Sequence, residues 1–362
     1  MAFTTINDPS EYFHIQLYTG NASDDRSITN DANAGDFKPD WLWIKQRNTT
    51  RHHTINDSNR GATKNLGTSL NNAESTGADG IQAFETDGFQ LGTDTDVNQN
   101  SGTYVAWQWV ANGGTTSSNS SGDITSTVQA NTTAGLSIVT YTGNGSNSQT
   151  VGHGLGVKPE AIIVKNRDGS NGWRLMHKDL SSGKTIYPDA TDAETTDAAR
   201  TDLTSSTLFT LTNNSGGINA NSNKYVAYCL KGIPGYSQFG TYKGNGNNDG
   251  VFVYLGFKPA LVIFKRTDST SQWNMIDNKR GTYDSGRCST NGVIIKMNSS
   301  GAEETNNGSN NTGGTVVDFL SNGFKHRNTE GNYNNNGGNY IYLAWAEHPF
   351  VSSTGVPRTA VG

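Results

Sequence analysis

Apolar positions along this chain gather into short blocks, and the blocks recur. Phe37-Lys38-Pro39 leads into Trp41-Leu42-Trp43-Ile44-Lys45, Val157-Lys158-Pro159 into Ala161-Ile162-Ile163-Val164-Lys165, and Phe257-Lys258-Pro259 into Leu261-Val262-Ile263-Phe264-Lys265. Upstream of each stands a segment closing on a glycine and an asparagine: Leu17-Tyr18-Thr19-Gly20-Asn21, Thr140-Tyr141-Thr142-Gly143-Asn144 and Thr241-Tyr242-Lys243-Gly244-Asn245. Downstream follow Tyr104-Val105-Ala106-Trp107, Tyr225-Val226-Ala227-Tyr228 and Tyr342-Leu343-Ala344-Trp345. Landmarks repeated in one order imply a module copied in tandem.

The pattern inside each copy predicts strands. Four apolar residues after the proline do not alternate with polar ones, as expected of a strand buried on both faces. Proline has no amide proton to give a ladder, so it can precede such a strand but not sit at its centre. Lys45, Lys165 and Lys265 are read as the points where these strands leave the core. The glycine and asparagine mark a turn, because both accept positive φ cheaply. Thr103 to Val110 reads as a further strand, rich in aromatic and β-branched residues. Asp189 to Asp202 is the best helical candidate, although it lacks an apolar stripe. The expected fold is all-β: three tandem antiparallel β-sandwich domains, jelly-roll-like, with little helix.

The three prolines are spaced by 120 and 100 residues, too far apart for solenoid units. Residues 1–113 are read as repeat one and 114–134 as a Gly/Ser/Thr-rich linker. Repeat two is placed at 135–232, repeat three at 233–350 and a loosely held tail at 351–362.

Composition adds limits. Only 32% of the 362 residues are hydrophobic and 16% charged, with 43 glycines. The surface is therefore neutral and hydrogen-bonding. A net charge of −5 without a basic stripe gives no reason to expect nucleic acid or an anionic membrane as partner. No run approaches the roughly 18 apolar residues a membrane helix needs, and the opening Met1-Ala2-Phe3-Thr4-Thr5 lacks a secretion signal's charged and apolar regions. Cys229 and Cys288 have no metal-ligand spacing and read as free thiols.

Catalytic signatures are absent: no Gly-x-Ser-x-Gly elbow, no His-Glu-x-x-His, no phosphate loop. Glu85 with Asp87, Glu303 with Glu304, and Glu347 could supply carboxylates for glycan cleavage, which needs two about 5–10 Å apart, but none recurs as a pair. They read as solvated loop residues. Asp94, Asp96 and Asn98 place oxygens at alternate positions, which suits Ca²⁺, but the Gly at position six and the closing Glu of a calcium loop are missing. An Asx-rich turn is the preferred account, and no cofactor is otherwise expected. Asp57 with Arg60 recurs as Asp277 with Arg280, read first as a salt bridge pinning a turn and second as a sugar or anion contact. Trp173 and Trp273 follow polar loops. They read as packed rings, or, if exposed, as stacking faces for sugars.

The run from Thr150 through His153-Gly154-Leu155-Gly156 and Val157-Lys158-Pro159 to Arg167 resembles a repeat domain of virion proteins of marine tailed bacteriophages. The opening Asp8-Pro9-Ser10-Glu11-Tyr12-Phe13 and the ending Leu343-Ala344-Trp345-Ala346-Glu347-His348-Pro349-Phe350 are similar to theirs as well. His153-Gly154-Leu155-Gly156 is intact only in repeat two. What the resemblance implies is a place in the virion, with other virion proteins as partners, and no catalytic residues. The expected function is a non-enzymatic tail fibre or adhesion component contacting host surface glycans. The alternative is a capsid decoration or tail-junction protein, and a glycan depolymerase ranks third. Virion positions are symmetric, so a homo-oligomer, guessed to be a trimer, is expected.

Overall fold

A computed structural model describes residues 4–31, 37–281, 292–306 and 316–357. The fold is all-β, built from antiparallel sheets, and each repeat carries the same set. In repeat one a four-stranded sheet runs Phe13–Thr19, Thr103–Trp109, Trp41–Gln46, Thr54–Asp57. Repeat two orders Leu136–Thr142, Lys224–Leu230, Ala161–Asn166 and Arg174–His177 in the same way, and repeat three Ser237–Lys243, Asn339–Pro349, Phe257–Arg266 and Trp273–Asp277. A three-stranded sheet covers one face of each. Its strands are Arg26–Ile28, Gly88–Leu91 and Ile81–Glu85 in repeat one, and equivalent segments form it in the other two.

The strand after each proline is buried on both faces, and the two faces have different partners. Leu42 and Ile44 pack with Ile28, Phe89 and Leu91 in a core private to repeat one. Trp41 and Trp43 enter a core shared by all three repeats, together with Ile163, Tyr228, Leu261, Ile263 and Trp345. Successive strand residues point to opposite faces, so one uninterrupted apolar block serves two cores. Aromatic rings join the repeats directly. Trp41 stacks on Tyr228 at 4.5 Å between centroids, and Trp109 meets Trp345 edge-on at 5.3 Å.

Three expectations change. Asp189 to Asp202 is not helical: Thr195–Thr196 and Thr201–Asp202 are short strands. Without an apolar stripe a helix there would bury nothing, whereas its threonines suit edge pairing. Part of the expected linker is ordered, because Ser126–Asn131 pairs along Leu136–Thr142 and Ser117–Asn119 pairs beyond it. Its Val128 is buried, which fixes the segment on the sheet edge. Lys45, Lys165 and Lys265 do not leave the core. Each is fully buried on the shared-core side and turns its Nζ back to the carbonyl of the next residue, at 2.6, 2.8 and 2.6 Å. Burial pushes each ammonium down to about 8. Finally, Cys229 is a buried free thiol as expected, whereas Cys288 lies outside the described residues.

The glycine of each turn has a steric cause. A Cβ on Gly20, Gly143 or Gly244 would stand 2.1, 2.3 or 2.3 Å from a backbone carbonyl oxygen of Gln99, Ala220 or Asn335. Beside it a fully buried asparagine, Asn98, Asn219 or Asn334, accepts the amide of Asn21, Asn144 or Asn245 at 3.0, 3.0 and 2.9 Å. Gly143→Ala is therefore expected to cost about 1–3 kcal/mol of unfolding free energy, as overpacking does. Gly77→Ala, whose Cβ would meet nothing within 4 Å, is the control that should stay near wild type in the same denaturant titration.

Candidate functional site

Residues that resist a purely local account collect where repeats meet. The contacts form a closed cycle. Glu74, Glu194 and Glu303 donate their amides to the carbonyls of Arg167, Thr267 and Arg47 at 2.7, 2.8 and 2.7 Å, joining repeats one to two, two to three and three to one. The indoles of Trp173 and Trp273 donate to the carbonyls of Gly67 and Tyr187, both at 2.9 Å. His53 holds the equivalent place in repeat one, its Nε2 lying 3.1 Å from the carbonyl oxygen of Lys296. Its Nδ1 accepts from the Trp43 indole at 2.8 Å, so the ring is neutral with its proton on Nε2. Burial pushes its pKa down to about 3. One type of boundary used three times is the pattern of a threefold trimer, here within one chain.

Two of the three boundaries carry an ionic network. Arg60 donates from Nε to Asp57 at 2.5 Å, from Nη1 to Glu74 at 2.9 Å and from Nη2 to the Ile55 carbonyl at 3.1 Å. Arg167 from repeat two clamps the same Glu74 with two bonds of 2.8 and 2.9 Å, and the Tyr228 hydroxyl donates to Asp57 at 2.7 Å. Arg280, Asp277, Glu303 and Arg47 repeat this arrangement between repeats three and one, with the Trp107 indole donating to Asp277 at 3.0 Å. All four side chains of the two Asp–Arg pairs are fully buried. They pin turns, as first read, and they also tie neighbouring repeats. Repeat two has His177 and Leu180 at the corresponding positions, and burial pushes that imidazole down to about 4.

The remaining candidates fall elsewhere. Trp173 and Trp273 are 1% and 0% exposed, so no ring face is left for a sugar. The rings pack into the shared core, as first read, and the alternative of exposed stacking faces falls. Asp94 caps the short helix Thr95–Asn98 by accepting the Asp96 amide at 2.9 Å. Asn98 Oδ1 accepts from Asn21 and from Arg26, and Asp96 lies 3.8 Å from Arg51. Each of the three is thus engaged by a protein partner. Among the described residues no group of three or more His, Cys, Asp or Glu is placed to hold a metal. Glu303 sits in the ionic network, Glu304 and Glu347 pair with Lys296 and Lys258, and Glu85 accepts from Ser27.

Sequence reasoning missed the clefts between repeats. Asp40, Glu160 and Ala260 occupy the same place, one residue after each proline. In the first boundary Asp40 accepts from Ser58, Gln129 and the amides of Ala111, Gly113 and Gly114, so the chain leaving repeat one fills the space. The second boundary holds an open cavity of about 340 Å³, lined among others by Glu160, Lys178, Gln238, Tyr254, Gly256 and Phe350. The third holds one of about 370 Å³ beside His14, Asp31, Asn278 and Lys279. Such volumes fall in the range of roughly 300–1,000 Å³ used by small-molecule sites. Burial alone would raise the Glu160 pKa, but Lys231 at 2.6 Å and Lys178 at 3.2 Å hold it below its ordinary value. The differing residues after the three prolines were the available signal.

No helix among the described residues is long and apolar enough to cross a membrane. No curated protein and no solved structure matches the chain. One family model matches residues 8–349, spanning all three repeats and the boundaries that join them, and the chain belongs to that family, described as Domain of unknown function (DUF7483).

Proposed function

We propose that this chain is a non-enzymatic structural protein of a bacteriophage virion, acting in the tail as a fibre or adhesion component that contacts host surface glycans. The virion assignment is supported by the resemblance of its opening, its central run and its ending to phage virion repeats. The observation that carries the non-catalytic reading is the closed cycle of boundaries, where buried ionisable groups are spent on one another. Asp57, Arg60, Glu74 and Arg167 hold repeats together, and a network so engaged has no free acid or base to offer a substrate. Loops on a rigid β scaffold are where binding residues usually sit.

A capsid decoration or tail-junction role is favoured by one feature. Threefold character is present within a single chain, so a threefold particle position could be met without three copies. Quantitative mass spectrometry of purified particles decides between them. A small multiple of three or six copies per particle is expected for the tail. Tens to hundreds would place the protein on the capsid, and absence from particles would overturn both readings.

A further inference from the structure

We propose that the cleft between repeats two and three is a sugar subsite that takes one hexopyranose ring of a surface glycan, with Tyr254 as its stacking platform and Phe252 extending that platform. The inference rests on the adhesion reading above and narrows it to one place.

Exposed aromatic rings are the first ground. Phe252 and Tyr254 are 41% and 59% exposed and stand on the same outward face of the strand Phe252–Tyr254. Between them Val253 is buried and opposes Phe324. The fold supplies its own control, because Ile28 and Val151 hold the place of Val253, opposite Phe89 and Phe209. The residues flanking them are Ser27 and Thr29 in repeat one, and Thr150 and Gly152 in repeat two. The sheet therefore forms without aromatic side chains there, so its pairing does not require the two exposed rings.

The surroundings of Tyr254 are the second ground. Gly323 lies opposite it in the ladder, so the directly paired residue has no side chain to cover the ring. Gly323 cannot be otherwise, since a Cβ there would stand 2.0 Å from the Val253 carbonyl oxygen. Tyr254 lines the cavity of about 340 Å³ together with Glu160, Lys178 and Gln238. An aromatic face carries partial negative charge and attracts the C–H edge of a pyranose. A carboxylate, an ammonium and an amide beside it suit the ring's hydroxyls, which both donate and accept. Among the described residues Glu160 is the one acidic residue lining the cavity, whereas hydrolysis of a glycosidic bond uses two. The cleft is built for holding a sugar rather than cutting it. The cavity between repeats three and one lacks the platform, since its Phe13 is 4% exposed.

The test uses the full chain on an array of hexopyranose-containing glycans, alongside adhesion of labelled protein to host cells. The variant F252S/Y254T installs the residues of repeat one and should fold with an unchanged denaturation midpoint. Wild type is expected to bind a subset of the array, and the variant to lose tenfold or more in affinity for that subset. Equal binding by the variant would overturn this subsite while leaving glycan adhesion standing. Cell adhesion that needs Phe252 and Tyr254 without any array binding would overturn it in favour of a protein partner. Binding to neither glycans nor cells would overturn both the subsite and the adhesion reading.

Discussion

Acidification below about pH 6.5 is expected to strip stability from this protein steeply, well before ordinary carboxylates titrate. Burial pushes the imidazoles of His53, His177 and His326 down to about 3, 4 and 3, against 6.5 for the unfolded chain. The folded state keeps these rings neutral while the unfolded state takes up protons, so their contribution to stability is fully present above pH 6.5 and is lost towards pH 4. Three protons give a slope of up to about 4 kcal/mol per pH unit. Asp189 opposes this, since burial pushes its carboxyl up to about 6 and the folded state then binds one proton first. About two protons remain, or near 3 kcal/mol per unit, against a total stability of roughly 5–15 kcal/mol. Denaturant midpoints measured across pH 4 to 7 check the slope, and a flat profile would contradict the burial of these rings. His326 isolates one contribution. Neither of its ring nitrogens has a hydrogen-bond partner among the described residues, and it packs against Tyr242, Phe264 and Phe324. His326→Phe is therefore expected to flatten the profile by about one proton, or ~1.4 kcal/mol per pH unit, without loss at neutral pH.

Asp57→Ala is expected to cost about 3–5 kcal/mol at neutral pH, because it leaves the buried Arg60 guanidinium without its closest counter-charge. The same change takes the acceptor from the Tyr228 hydroxyl, so the damage falls on the boundary between repeats one and two. Repeat two shows how the position can be neutral, with His177 and Leu180 in place of the aspartate and arginine. The double variant Asp57→His with Arg60→Leu should therefore recover most of the loss, since exchanging a buried pair for neutral groups is often harmless whereas breaking it is not. Unfolding free energies of Asp57→His, Arg60→Leu and the double variant form the cycle that checks this. A double variant as unstable as Asp57→Ala would mean that the pair contributes more than mutual neutralisation.

Much of the architecture was legible because repetition multiplies weak signals. Pro39 and Pro159 stand just before a strand buried on both faces, as an imino acid before an apolar block should, whereas Pro259 lies inside the longer strand Phe257–Arg266, where the ladder with Asn339–Pro349 shifts register. Tryptophans read as core residues are core residues, each at most 2% exposed. What failed was any judgement that depended on a neighbour. Trp173 and Trp273 are packed, as first read, but exposure stayed open as a second reading because the sequence around them does not contain the Gly67 and Tyr187 carbonyls that receive their indoles. Lys45, Lys165 and Lys265 looked like exit points, because a lysine's charge usually seeks water. The carbonyl that holds each ammonium lies only one residue away, hidden by the strand's own geometry.

The sequence by itself determined a triplicated all-β module, its strand blocks and its glycine turns, since these follow from local periodicity, proline's missing amide and backbone sterics. Tertiary structure alone decided that the second face of each central strand meets other repeats, so that the chain closes on itself. A run of apolar side chains states that water must be excluded but not by which partner, and the clefts left between repeats depend on that partner.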